Sequence, residues 1–152
     1  MIVSGSGIVA LAGAAVVAQL LTARAAPWIG AAVGSIALAV GMALIVFAAA
    51  RDSSSAYLAG SILGGAGFGA AFLGGLRALT AAIPHQHRAA VMSAFWVAAY
   101  TSLSLPAVLA GVVVAHVALP TTFEIFGSVV AAIALTVAFG AWRTRPVRPL
   151  GA

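Results

Sequence analysis

Residues 28–50 read WIGAAVGSIALAVGMALIVFAAA, an unbroken stretch without a single charged side chain. A helix needs about 20 mostly apolar residues to cross the hydrocarbon core of a bilayer, and this stretch is long enough. Pro27, which suits the first turn of a helix, precedes it, and Arg51 and Asp52 follow it. The stretch therefore predicts one membrane-spanning helix with defined ends.

Four further apolar runs flank this one along the 152-residue chain. We expect an all-α membrane protein with a transmembrane domain over residues 1–142 and a cytoplasmic tail over 143–152. The five predicted helices cover about residues 2–22, 28–50, 56–76, 89–116 and 122–142, and Pro120 separates the last two. The first run is too long for a signal peptide and no basic residue precedes it. The alternative is that this first run does not insert, which would leave the other four unchanged.

Composition supports the membrane class and narrows the functions. Hydrophobic residues make up 64% of the chain and charged residues 6%, too few charges to cover a soluble domain. Cys and Lys are absent, so a disulfide framework, a thiolate metal site and a P-loop are excluded. The net charge of +5 comes from seven Arg against Asp52 and Glu124. Most of these Arg are scattered singly between apolar runs, and they form no basic stripe interleaved with aromatic residues, so we expect no nucleic-acid partner.

The positions of the arginines predict an orientation. If all five helices span, one side of the membrane carries six of the seven. These are Arg24, Arg77, Arg88, Arg143, Arg145 and Arg148. The other side carries only Arg51, with Asp52 beside it, and Glu124. By the positive-inside rule the tail is cytoplasmic and the N-terminus lies outside, in what we expect to be a bacterial plasma membrane.

The third run is unusually rich in glycine, with seven of the chain's 17 glycines between residues 60 and 75. Gly60 and Gly64 form one GxxxG pair, and Gly65 and Gly69 form a second. Small residues at this spacing let a neighbouring helix approach closely. Tight packing alone explains a single pair, but this density favours a helix that both packs and moves.

The fourth run carries Ser93, Trp96, Tyr100 and Ser104 on one helical face, with Pro106 just beyond. One interpretation is a polar and aromatic lining of a solute pathway. The other is a packing face whose hydroxyls bond to backbone carbonyls, and the spacing alone slightly favours this second interpretation.

Catalytic and metal-binding patterns are missing from the sequence. His85 and His87 lie in a polar loop, and His116 is expected at the opposite membrane face, so three metal ligands do not converge. Asp52 and Glu124 are each expected beside the outer membrane boundary and form no acid/base pair. We therefore expect neither an enzyme nor a bound metal or cofactor.

Three passages resemble the C-terminal half of a major facilitator superfamily transporter. They are the glycine-dense 60–75 segment ending in Leu76-Arg77, the loop IPHQHRA over 83–89, and YTSLSLPAVLAG over 100–111. The loop is close to the P-x-x-x-R-A pattern often found between the tenth and eleventh helices of that family. Of the basic loop that the family often has between helices eight and nine, only Arg24 remains.

The resemblance implies that the five runs correspond to helices eight to twelve of twelve, in a partial six-helix half bundle. The third helix would then line a central cavity, and the first and fourth would face the missing half. The residues to which the resemblance assigns the substrate cavity are Ser61, Phe68, Phe72, Trp96 and Tyr100. It places Arg77 and Arg88 at the cytoplasmic gate.

Two functional hypotheses follow. The first is a secondary transporter, or a fragment of one, that moves a small solute by alternating access, with hydrophobic efflux favoured over uptake of sugars or organic anions. Its partners would be the lipid bilayer, the solute and the missing N-terminal half or other helices. The alternative is a small five-helix scaffold or subunit without transport activity.

Overall fold

In the computed structural model, residues 2–114 and 119–143 are described, and within these ranges the chain is helical without a strand. The long helices are α1 (Ile2–Thr22), α2 (Pro27–Arg51), α3 (Ser54–Ala82), α4 (Arg88–Val114) and α5 (Leu119–Arg143), and a short 3₁₀ turn (His85–His87) precedes α4. His116 and the tail arginines Arg145 and Arg148 lie outside the described residues.

Four helical segments are long and apolar enough to cross a membrane. They are Pro27–Arg51, Ser54–Ala82, His85–Val112 and Glu124–Arg143. A shorter apolar segment, Gly7–Thr22, belongs to α1. Large apolar side chains project from every long helix, as Leu21, Val97 and Ile133 illustrate with exposures of 78%, 68% and 58%. Such a surface suits lipid rather than water, so the chain is a helical membrane protein.

The end of α3 corrects one predicted boundary. The apolar run stops at residue 76, but the helix continues to Ala82, so Arg77 lies inside it. Residues 77–82 are mostly good helix formers, and a single arginine ends an apolar run without ending a helix. The helix stops where Ile83 becomes extended (φ −98°, ψ 127°), because the residue before a proline avoids the helical region and Pro84 follows.

The junction between α2 and α3 is short. Asp52 ends α2 in the left-handed conformation (φ 51°), and its backbone N–H donates to the Ala48 carbonyl. Ser53 then caps α3, its hydroxyl accepting from the Ala56 N–H. Pro120, which we expected to separate two helices, lies in the first turn of α5, a position that tolerates the missing N–H.

Helix α3 is the centre of the bundle, with α2 on one side and α1 on another. Its glycines make both interfaces close. Gly60 and Gly64 lie against Gly41 of α2, whereas Gly65 and Gly69 lie against the backbone of α1. The two GxxxG pairs therefore pack against two different helices. Helix α5 packs on α2.

The contacts also fix the helix directions. Leu11 and Ala15 of α1 meet Gly65 and Gly69 in the same order, so α1 and α3 run parallel. By the same reasoning α2 is antiparallel to α3, because Gly30 lies near Gly74 and Gly41 near Gly64. The α1–α2 loop and the α3–α4 loop therefore lie at one end of the bundle. The end of α5 lies there too, because Gly127, early in α5, is against Val46 near the end of α2.

Helix α4 stands apart from this body. None of residues 84–112 is buried, and the helix contacts α5 only sparsely. It runs unbroken through Pro106. Helices α1, α2, α3 and α5 thus form a compact body. Helix α4 lies beside this body with most of its surface uncovered.

Candidate functional site

Five aromatic side chains form a continuous row between α3 and α4. Phe68 and Phe72 stack on α3 with ring centroids 5.9 Å apart. Phe72 then meets Phe95 at 5.9 Å and Trp96 at 6.4 Å, both on α4. The row ends with Trp96 and Tyr100, whose centroids are 5.8 Å apart. These separations lie within the range in which aromatic rings attract each other.

The row is built by helical spacing. Phe68 and Phe72 are four residues apart, as are Trp96 and Tyr100, so each pair occupies one face of its helix. Phe95 packs edge-on against Trp96, with centroids 5.7 Å apart, and joins the two pairs. The row joins side chains of α4 to side chains of α3 in the described structure.

The row is accessible. Phe68 is 42% exposed, Trp96 44% and Tyr100 64%, while Phe72 and Phe95 are half-buried. A packing seam inside a finished core would bury such rings. Part of the surface of the row therefore remains uncovered in the described structure.

The structure brings together four of the five residues that the resemblance assigns to the cavity, and it places the fifth elsewhere. Ser61 is only 2% exposed, and its hydroxyl donates to the Tyr57 carbonyl over 2.8 Å. It lines a separate apolar cavity of about 260 Å³ between α1, α2, α3 and α5, where Tyr57, Met42 and Phe126 also lie. Phe95 is the member of the row that sequence reasoning missed. Its only signal was its place next to Trp96.

A second opening separates α4 from α5. It is a wide cleft of about 760 Å³, and small side chains of α4 form one wall, among them Ala94, Ala98 and Ser102. Ile133 of α5 faces them. The cleft is apolar apart from hydroxyls, and the Thr101 hydroxyl within it donates to the Val97 carbonyl over 2.8 Å.

The two arginines assigned to a gate occupy the same end of the bundle but have different surroundings. Arg77 is half-buried, and its Nη1 donates to the Ala25 carbonyl in the α1–α2 loop over 2.8 Å. Arg88 is exposed at the start of α4, with Nη2 3.5 Å from the Thr80 carbonyl. Arg77 therefore fastens α3 to a neighbouring loop, whereas Arg88 is held weakly.

Charge is confined to the ends of the bundle in the described residues. Arg24, Arg77, Arg88 and Arg143 lie at one end, and Arg51, Asp52 and Glu124 at the other. Within residues 2–114 and 119–143, no three metal-ligating side chains come together. The chemistry that the described site offers is therefore aromatic contact, with arginine at one end.

No family model, curated protein or solved structure matches this chain.

Proposed function

We propose that this chain is the C-terminal, five-helix part of a secondary transporter of the major facilitator type, moving a small, largely hydrophobic solute by alternating access. The observation that supports the proposal is that α4 combines aromatic side chains with an uncovered surface. It bears three of the five rings of the aromatic row and none of its residues up to 112 is buried. A long apolar helix with so little cover is suited to contact further helices.

In this proposal the compact body moves as one unit. Backbone-to-backbone packing of α3 against α1 and α2 leaves little room for these helices to slide, since interiors packed this closely resist deformation. The solute binds to the aromatic row, and the body rocks against a second half that supplies the other wall of the cavity. No nucleotide is hydrolysed.

The coupling group belongs to the rest of the transporter. Carriers driven by protons usually place an ionisable side chain inside the membrane. Among the described residues, Asp52 and Glu124 are the only acids, and both are exposed at one end of the bundle. We therefore assign the coupling residue to the missing helices.

The orientation is part of the same proposal. The end that carries Arg24, Arg77, Arg88 and Arg143 faces the cytoplasm, and the N-terminus of α1 faces outward. We place the protein in a bacterial plasma membrane.

The size of the native polypeptide tests the proposal directly. An antibody against residues 143–152 is used on membranes of the source cells, and the band is compared with the 14.9 kDa of this chain. We expect a band well above that mass, because half a cavity does not transport. A band at 14.9 kDa, together with a discrete stable oligomer in mild detergent, would favour the five-helix scaffold instead.

Reconstitution supplies the second arm. The purified 152-residue chain in liposomes is expected to move no solute above the rate of empty liposomes. Robust uptake by this chain alone would contradict the idea that it supplies only part of a transporter.

A further inference from the structure

We propose that the aromatic row is a binding site for flat aromatic anions, with Arg88 holding the anionic group. This inference rests on the proposed transporter function and names its substrate class. The aromatic row supplies the contact with the flat body of the ligand, and the charges around the row decide the sign of the ligand's charge.

The rings favour a flat partner. Three of the five are between 42% and 64% exposed, and their centroid spacing of 5.7 to 6.4 Å makes a nearly continuous surface. A fused aromatic system of two to four rings can contact several of them at once by stacked and edge-on arrangements. An aliphatic solute of equal size lacks these preferred geometries.

Arg88 shares a helical face with one member of the row. It precedes Phe95 by seven residues, close to two full turns, so these two side chains lie on the same face of α4, whereas Trp96 is turned by about 80° from that face. Seven residues correspond to about 10 Å along a helix. That length matches a short linker between a fused ring system and a carboxylate. Arg88 is exposed and donates only one long bond, to the Thr80 carbonyl at 3.5 Å.

The surrounding charges have one sign. The charged groups on the helices that carry the row are Arg77 and Arg88, both at the same end. Arg24 and Arg143 lie at that end too, and the described acids, Asp52 and Glu124, are at the opposite end. A cation at the row would meet no carboxylate there, whereas an anion meets Arg88. Composition favoured hydrophobic compounds over organic anions. The proposed ligand keeps the hydrophobic body but departs from that preference in its charge, because the charged groups at this end of the bundle are arginines.

The test uses a matched pair of probes, 1-pyrenebutyrate and 1-pyrenebutylamine, which share the ring system and differ in charge. The full chain is placed in nanodiscs of zwitterionic phosphatidylcholine at low salt. Substitutions W28F and W142F leave Trp96 as the sole indole, and energy transfer from Trp96 to pyrene reports binding against empty nanodiscs.

We expect pyrenebutyrate to bind about three- to tenfold more tightly than pyrenebutylamine, the range expected when an exposed ion pair replaces like-charge repulsion. Arg88→Gln should bring this ratio close to one, while Arg143→Gln, at the same end but on α5, should leave it unchanged. Phe72→Leu and Tyr100→Leu should each weaken pyrenebutyrate binding about two- to tenfold. Tyr100→Phe keeps the ring and should bind like the parent. Phe47→Leu, an exposed ring on α2, is the control for loss of any phenylalanine.

Equal affinity for the two probes, or an unchanged ratio in Arg88→Gln, would overturn the anion preference. Equal losses in Phe47→Leu and Phe72→Leu would overturn the aromatic site. Because binding is measured without transport, either failure would leave the transporter proposal to be judged by the size of the native polypeptide.

Discussion

At Gly65 the backbone of α1 comes so close that a methyl group has no room. A Cβ there would overlap the carbonyl oxygen of Leu11 and lie 2.8 Å from its carbonyl carbon. Because both obstacles are backbone atoms, α1 and α3 must move apart to admit it. We expect Gly65→Ala to lower the free energy of unfolding by about 1–3 kcal/mol, measured by thermal or denaturant unfolding in detergent.

Gly75 on the same helix is the matched control, since nothing lies within 4 Å of the position a Cβ would take. Gly75→Ala should be neutral or slightly stabilising, because alanine is the better helix former. If the two variants unfold alike, the close approach of α1 and α3 would be wrong.

The two arginines Arg77 and Arg88, which lie at the same end of the bundle, should differ in their effect on stability. Arg77 is half-buried with a 2.8 Å bond to the Ala25 carbonyl, so Arg77→Gln should cost about 1 kcal/mol after allowance for its partial exposure. Arg88 is exposed with a 3.5 Å contact, so Arg88→Gln should change stability by less than about 0.5 kcal/mol. Unfolding in the same detergent compares them, and an equal loss for both would refute the anchoring role of Arg77.

Spacing singled out Trp96 and Tyr100, because rings four positions apart on a helix share a face, and the family resemblance singled out Phe68 and Phe72. Neither revealed that Phe72 meets Phe95 and Trp96, since that pairing depends on how α3 and α4 cross. Ser61 shows the reverse case. The resemblance assigned it to the substrate cavity with the four rings, yet its hydroxyl donates to a carbonyl of its own helix and its side chain lines a different cavity, among α1, α2 and α5.

At the scale of elements, hydropathy located all five helices, because a membrane helix must be a long apolar run. It placed the end of α3 six residues too early. Hydropathy indicates where the apolar side chains end, whereas helix α3 continues to Ala82 and ends just before Pro84. The glycine pairs predicted close packing, but the division of that packing between α1 and α2 required the three-dimensional arrangement.

Because the cleft between α4 and α5 is open, we expect its wall to accept a much larger side chain without loss of stability. Ala98 is exposed at its wall, so Ala98→Phe should leave the apparent melting temperature of the 152-residue chain within about 1 °C of the parent. Ala39, 6% exposed on α2, is the matched position inside the body, and Ala39→Phe should lower it by several degrees through overpacking. Similar losses at both positions would mean that α4 is as well packed as α2.

At the scale of the whole molecule, the sequence and the structure divide the charged loops into the same two groups. Alternation of arginines along the chain assigned the loops to two sides. The parallel and antiparallel contacts of α1, α2 and α3 place the same loops at two ends of the bundle. Which end faces the cytoplasm is decided when the chain inserts into the membrane. Helix packing and hydropathy are the same in either orientation, so the distribution of arginines is the feature of the sequence that predicts it.

Because the chain contains no cysteine, single introduced thiols can report that orientation. We expect Ser53→Cys, in the α2–α3 turn, to react with a membrane-impermeant maleimide added to intact cells. His87→Cys, in the α3–α4 loop, should react only after the cells are permeabilised, because the end rich in arginine stays inside. The unmodified chain is the blank, and both thiols should label in detergent, which shows that each is exposed. The opposite pattern would invert the topology, and labelling of both in intact cells would mean that the two loops share one side. Because Ser53 precedes α3 and His87 follows it, that result would mean that α3 does not cross the membrane, as the proposed transport path requires.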